Sequence, residues 1–334
     1  VAVGLKLRAV ERELWQEFLM EHSPGSLFHR WEWQDILEAG FGVKVSRLGI
    51  FDAQGGFRGL LPLVERKLGG LKLAGSPLSG VATPHSGPLG ISLAEVLPAL
   101  EEYAREHRLD YVEIGCPEAG QGEVLLAAGY AVEELKTLEI HMPPDEETLW
   151  SGLEVRCRNA VRKAEKSGVE VYEPQHLEDW LDAYHELSRG VYLRQGKEPP
   201  FSKAYFAALW GKLKPAGDLV VLLARFEGKI IAGGIFPRDR QAAYYLDGVS
   251  DREYNKVVPN NLIQWEYLKR ALQAGITHYD MVGANIPSIA KFKQSFGSKE
   301  RAYLYAYRSR TWRARLGRWA YAKFGSQIKK LLHV

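Results

Sequence analysis

The sequence predicts a mixed α/β protein in which one structural unit is used twice, each copy a mixed sheet flanked by helices. Three observations carry that expectation. Val45–Val64 and Leu219–Pro237 each hold two β-rich runs around a turn signal, Asp52-Ala53-Gln54-Gly55-Gly56 in one and Glu227-Gly228-Lys229 in the other, so both read as hairpins. YAREHRLDYVEIG, ending at Gly115, matches LKRALQAGITHYDMVG, ending at Gly283: a helix, a strand and a glycine, each followed by a second helix. The offsets are about 174 residues for the hairpins and about 168 for the helix–strand pieces, which is one repeat unit.

A length of 334 residues agrees with two domains at roughly 150 residues each. The joint falls in MPPDEETLW (Met142–Trp150), where two prolines and an acidic cluster separate a strand at Leu138–His141 from a helix with Asp145 as N-cap. That divides the chain into 1–145, 146–310 and a basic amphipathic C-terminal helix at 311–334. The helix after Asp145 is expected to run on to Gly168, with Arg158, Arg162 and Lys166 sharing one face by their spacing of four.

Composition narrows the function. With 25% charged and 46% hydrophobic residues the chain is an ordinary globular one. Cys116 and Cys157 are its only cysteines, too few for a disulfide framework or a zinc site, so a reducing, cytoplasmic setting and metal-free chemistry are expected. Glu11, Arg12 and Glu13 interrupt the stretch where a signal peptide needs apolar residues, and runs such as Leu219–Ala224 are far shorter than the roughly 18 residues of a membrane span. The net charge of +3 hides an asymmetry, because residues 301–334 hold six Arg and three Lys with no acid. There is no HExxH, no G-x-G-x-x-G after a strand, no phosphate-binding P-loop and no G-x-S-x-G elbow. An enzyme with this sequence works on substrates that arrive already activated.

The most informative stretch is Ala243–Tyr303. Its order of YYLDGVS, PNNLIQW, ALQAGITHYD and KFKQSFG, preceded by RNAVRKAEKSGV (Arg158–Val169) and by SRGVYLRQG with YFAAL (Ser188–Leu209), resembles the FemABX aminoacyltransferases of peptidoglycan bridges. The resemblance is strong over about 148–310 and rests on pattern alone over 1–145. It implies tandem GNAT-like (acyltransferase) domains, with the active site in the cleft between them and mostly on the second. It also implies transfer of an amino acid from aminoacyl-tRNA to an amine of the stem peptide, carried on UDP-muramyl-peptide or on lipid II, without metal or organic cofactor. Lys293 takes the place of the family's catalytic lysine and Phe292 packs beside it. Arg194, or by a competing alignment Arg189, takes that of an arginine gripping precursor phosphate. Tyr205 and Tyr245 match aromatic residues of the substrate channel, with Tyr245 assigned to catalysis, and Asp280 either stands beside the acceptor to hold its amine or caps a turn at Gly283. Leu37 stands near the place of a precursor-binding lysine, and no heptad run in 170–215 supplies the family's coiled-coil arm.

Two other readings compete. An acetyl-CoA-dependent GNAT N-acyltransferase of polysaccharide or cell-envelope biosynthesis shares the fold, but its pyrophosphate turn needs glycines, and DREYNKVVPNN (Asp251–Asn261) has none. The basic tail, with Arg313, Arg315 and Arg318 among Trp312, Trp319 and Tyr321, suits tRNA or an anionic membrane surface, so peripheral contact with the inner membrane face is expected. The alternative for the tail is a helix that packs its aromatics inward and turns its arginines out. A monomer is expected.

Overall fold

A computed structural model describes residues 4–22, 26–116, 119–194 and 196–332. The chain forms two compact units, Val1–Leu135 with Ala302–Val334, and Lys136–Arg301.

The first unit holds β1 (Lys6–Ala9), α1 (Arg12–Glu21), α2 (Trp31–Phe41), β2 (Lys44–Phe51), β3 (Phe57–Leu68), β4 (Leu71–Ser76), α3 (Leu93–Glu106), β5 (Tyr111–Cys116) and α4 (Gly122–Ala127). Strand β6 (Ala131–His141) leads into the second unit, which holds α5 (Glu146–Gly152), α6 (Val155–Lys166), β7 (Glu170–Tyr172), α7 (Leu181–Leu193), α8 (Lys203–Leu213), β8 (Leu219–Phe226), β9 (Lys229–Pro237), β10 (Ala242–Tyr244), β11 (Asp247–Ser250), α9 (Pro259–Gln273), β12 (His278–Asp280) and α10 (Pro287–Gln294). Strand β13 (Lys299–Ser309) leads back to the first unit, followed by α11 (Trp312–Leu332).

Both expected hairpins form, β2–β3 and β8–β9, each antiparallel. In each unit a parallel pair follows: β4 with β5, and β10 with β12. A closing antiparallel strand comes last. In the first unit this is β13, from Leu304↔Cys116 to Ser309↔Tyr111, and in the second it is β6, from His278↔His141 to Asp280↔Glu139. Each unit therefore borrows its last strand from sequence that a linear cut at 145 and 310 assigns to the other. In the second unit β7 completes the antiparallel order β11-β9-β8-β7.

Helix α9 and the β8–β9 hairpin share one apolar cluster with Val161, Leu222, Phe236, Leu262, Leu268 and Phe296, all under 5% exposed. Tyr184 of α7 packs on β9 at Gly233, where a Cβ would lie 2.8 Å from its ring, so only glycine permits the approach. The single helix expected between Asp145 and Gly168 is two. Asp145 caps α5 through the Thr148 N–H at 2.7 Å as expected, but Leu153 is extended (ψ 143°) and Glu154 N donates to Ser295 O at 2.9 Å, so the chain bends before α6. Arg158 fills that bend by donating to Ser151 O at 2.9 Å, a cation on the carbonyl end of α5, while Arg162 lies over Trp150 at 5.3 Å. Arg158 and Arg162 of α6 thus serve the fold.

In the first unit His29 is 5% exposed and bonds Gly87 O at 3.0 Å. Burial lowers its pKa to about 4. Because the folded state holds the imidazole neutral, stability is present above pH 6.5 and is lost as pH falls toward 4, by about 3 kcal/mol. Urea unfolding of wild type and His29→Gln at neutral pH and near pH 4 checks this. The wild type is expected to lose that much more than the variant, and equal losses would contradict it.

Candidate functional site

The site region is built on a parting of strands. Strand β10 pairs in parallel with β12 as far as Tyr244↔Asp280, and the last bond between them runs from Tyr245 N to Asp280 O at 2.8 Å. One residue later Leu246 N donates to Ile235 O at 3.1 Å and β11 continues on β9, while Met281 N turns to Leu138 O at 2.8 Å on the β6 side. The two neighbours now belong to different partners and diverge. Tyr245 borders the opening on one side and Asp280–Gly283 border it on the other.

Asp280 sets the geometry of that second border. It is 4% exposed, and its Oδ1 accepts from Thr137 Oγ1 and from Val282 N, the latter at 2.7 Å. This local ring turns the chain so that Val282 (φ 53°) and Gly283 (φ 62°) are both left-handed. Glycine accepts that conformation freely, but a β-branched valine there is strained by about 1–3 kcal/mol. Both carbonyls then point at Lys293, whose Nζ donates to Val282 O and to Gly283 O, the second at 3.0 Å. Helix α10, with Pro287 at its first turn and Ala290 buried, carries Lys293 to this point. The ammonium lies 5.8 Å from the centroid of the Tyr245 ring.

Lys293 is 7% exposed although it is a lysine on a short helix with a basic last turn. Burial lowers its pKa to about 8, with the Asp280 charge opposing the fall. Burial raises the Asp280 carboxyl, and its Oδ2 has no hydrogen-bond partner among the described residues. Tyr245 stacks on Phe236 at 5.5 Å, which in turn stacks on Tyr267 of α9 at 3.8 Å. Its phenol is pushed up by burial and remains a proton donor at neutral pH. The sequence-predicted residues Lys293, Tyr245 and Asp280 are thereby brought together, while Phe292, next to Lys293 on α10, is half-buried against Phe296 at 5.2 Å.

Other predicted residues stand elsewhere. Arg194 is exposed at the end of α7 and lines an open groove of about 490 Å³ with Glu186, Gly190, Lys229 and Asp251. Asp251 marks the far end of β11 from Tyr245, so this groove is four residues, about 13 Å, along the strand from Asp247. Arg189 pairs with Glu186 at 3.0 Å on the exposed surface of the same helix. Tyr205 has no exposed surface and packs against Phe201 at 4.9 Å and Phe206 at 5.7 Å, so it supports the wall from within. In the first unit Arg313 reaches toward Gly70 O at 3.5 Å and Arg315 is exposed. Arg318 is held by its own unit, over the Tyr307 ring at 3.8 Å and on Glu133 at 3.2 Å, which corrects its assignment to tRNA or membrane.

Sequence reasoning passed over Asp247. Its Oδ2 accepts from Tyr184 OH at 2.8 Å, and Tyr245, Tyr192 and Tyr205 lie within electrostatic reach. Removal from water raises its carboxyl to about 6, with the Tyr184 bond working against the rise. A lone acid inside the strand YYLDGVS was the available signal, but the tyrosine cage comes from α7 and α8, which the strand does not announce.

The start of α9 offers little to a pyrophosphate. A short 3₁₀ turn (Arg252–Val257) leads to Val258 at φ 48°, Pro259 has no N–H, Asn261 N already bonds Val258 O at 3.2 Å, and Asn260 Nδ2 bonds Ser250 Oγ at 3.0 Å. Among the described residues no group of three or more His, Cys, Asp or Glu side chains could hold a metal ion. No helix among them is long and apolar enough to cross a membrane.

Comparison with known proteins places this architecture. Residues 155–294 match the acetyltransferase (GNAT) domain model, and no curated protein matches the sequence significantly. The crystal structure of FemX superposes with a TM-score of 0.68 at 16% identity, covering 90% of this chain and 96% of that one. The chain has the tandem GNAT fold of FemX. The C-terminal domain of a putative lysylphosphatidylglycerol synthetase from Agrobacterium fabrum gives 0.55 at 12% identity over 83% and 89% of the two chains. A tandem GNAT protein from the clavulanic acid biosynthesis pathway gives 0.56 at 11% identity over 92% and 99%.

Two titrations check the lysine's setting. Isotope-labelled reductive methylation followed by NMR is expected to find Lys293 titrating near 8, and Asp280→Asn is expected to lower it further because the opposing negative charge is gone. A value near 10.5 in wild type would show that the ammonium is solvated and not held as described.

Proposed function

We propose that this protein is an acyltransferase that moves an amino acid from aminoacyl-tRNA to an amine of the peptidoglycan precursor stem peptide. The observation that carries the reading is the Lys293 ammonium, fixed by two carbonyls where β10–β11 and β12 part. Support comes also from the GNAT domain match over 155–294, the FemX-like fold and the KFKQSFG and PNNLIQW motifs.

The reaction asks for what these residues offer. The acceptor nitrogen attacks the ester carbonyl carbon, a tetrahedral intermediate forms, and the bond to the ribose oxygen breaks as that oxygen gains a proton. Negative charge develops on the carbonyl oxygen, and a desolvated ammonium already in place stabilises it without reorganisation. Tyr245 supplies a phenol proton donor beside it. Asp247, recessed among tyrosines, takes the proton that the acceptor ammonium must lose. The ester is already activated, so the chemistry requires no cofactor.

A second reading, acetyl-CoA-dependent N-acylation in envelope or polysaccharide synthesis, is favoured by the GNAT match. Against it stands the proline-headed, glycine-free start of α9.

Single-turnover transfer of labelled amino acid from a panel of charged tRNAs to UDP-muramyl-pentapeptide and to lipid II, with acetyl-CoA as competing donor, decides between them. Label passing from one tRNA to one acceptor is expected. Transfer from acetyl-CoA alone would reject the tRNA reading. Lys293→Met is expected to lower the rate by about 10²–10³-fold with folding unchanged, the scale of losing one oxyanion donor. The wild-type rate is expected to rise with pH through about 6 as Asp247 ionises and to fall through about 8 as Lys293 loses its proton. Asp247→Asn should remove the acid limb; an unchanged limb in that variant would exclude Asp247 as the base.

A further inference from the structure

We propose that the outward face of α11, in the first unit, docks the protein on an anionic lipid surface. This goes beyond the reaction above and does not depend on which group the second unit transfers.

The helix is amphipathic in an unusual sense. Its inward side holds Ala314, 3% exposed, and Arg318, which is turned back onto Tyr307 and Glu133. Its outward side carries Trp312, Leu316 and Trp319, exposed by 71%, 54% and 54%. These three are spaced i, i+4 and i+7 and so form a single stripe, about 10 Å long at 1.5 Å per residue. For Trp312 and Trp319 this is the opposite of the alternative in which the tail's aromatics pack on the domain. Arg313 and Arg315, both exposed, stand about 100° to one side and about 60° to the other side of the stripe's first residue. Lys323 extends the line one turn further, its Nζ 5.1 Å from the Trp319 ring.

A water-facing surface has no reason to align two tryptophans and a leucine, since each gains free energy on leaving water. A lipid interface does, because indoles lie at the headgroup level while flanking cations meet anionic phosphates. Charge points the same way: α11 itself carries three Arg and three Lys and no acidic residue, and of these Arg318 alone is turned back onto Glu133 among the described ion pairs. A polyanionic nucleic acid would be met by cations along the centre of the face with aromatics between them. Here the centre from Trp312 to Trp319 is apolar and includes Leu316, Arg313 and Arg315 flank it, and Lys323 stands at its end.

The test is co-sedimentation of the full chain with vesicles of equimolar phosphatidylglycerol and phosphatidylcholine, and with vesicles of phosphatidylcholine alone, in the absence of donor and acceptor. Binding to the anionic vesicles is expected, weakened by salt and weak on the neutral ones. Trp312→Ser with Trp319→Ser is expected to lower the partition coefficient about tenfold or more with the melting temperature unchanged, since both side chains are exposed. Arg313→Gln with Arg315→Gln is expected to lower it about tenfold at low salt while leaving the residual binding salt-insensitive. Equal binding to both vesicle types, or tryptophan variants that bind like wild type, would overturn the proposal. Loss of bulk-tRNA binding in the tryptophan variant with vesicle binding intact would also overturn it and assign the face to nucleic acid.

Discussion

The second unit's opening depends on one buried carboxylate. Asp280 ends β12, accepts the Val282 N–H and the Thr137 hydroxyl, and so fixes two successive left-handed residues whose carbonyls hold Lys293. Each step needs the one before it. A lysine in so little water is costly unless acceptors and an opposite charge are near, and the turn supplies two carbonyls while Asp280 supplies the charge. The strain of a left-handed valine is tolerated because three polar contacts over-determine the turn.

The repeated unit explains why the opening exists. In both units a hairpin is followed by a parallel strand pair, and a closing strand lies antiparallel to the second member of that pair. In the second unit the first member of the pair is broken at Tyr245–Leu246, so that β10 serves β12 and β11 serves β9. A strand cannot follow two diverging partners without such a break, and the break is what leaves side chains rather than ladder bonds at the border. Asp247 lies just past it, where Tyr184 reaches over from α7 because Gly233 leaves room.

The two arginine-rich helices illustrate how little a charge count says about function. On α6, Arg158 and Arg162 are consumed by the carbonyl end of α5 and by Trp150. On α11, Arg318 is consumed likewise while Arg313 and Arg315 flank an exposed apolar stripe. Burial and partner identity separate them, and neither is a property of sequence spacing.

The sequence alone determined the tandem repeat, both hairpins and the Asp145 cap, because alternation and turn chemistry are encoded over a few neighbouring residues, whereas Lys293, Phe292, Tyr245 and Asp280 were named by motif resemblance. It did not determine the break between α5 and α6, which depends on Ser295, a residue about 140 positions away. Nor did it give the exchange of β6 and β13, which is a choice of partner between strands of similar pattern. Arg189, Arg194 and Tyr205 had the right residue types, yet only packing places one on a carboxylate, one in a groove and one inside an aromatic cluster. Asp247 became visible for the same reason: its raised pKa comes from loss of water, against which the Tyr184 bond works, and solvent exclusion is a property of the assembled structure.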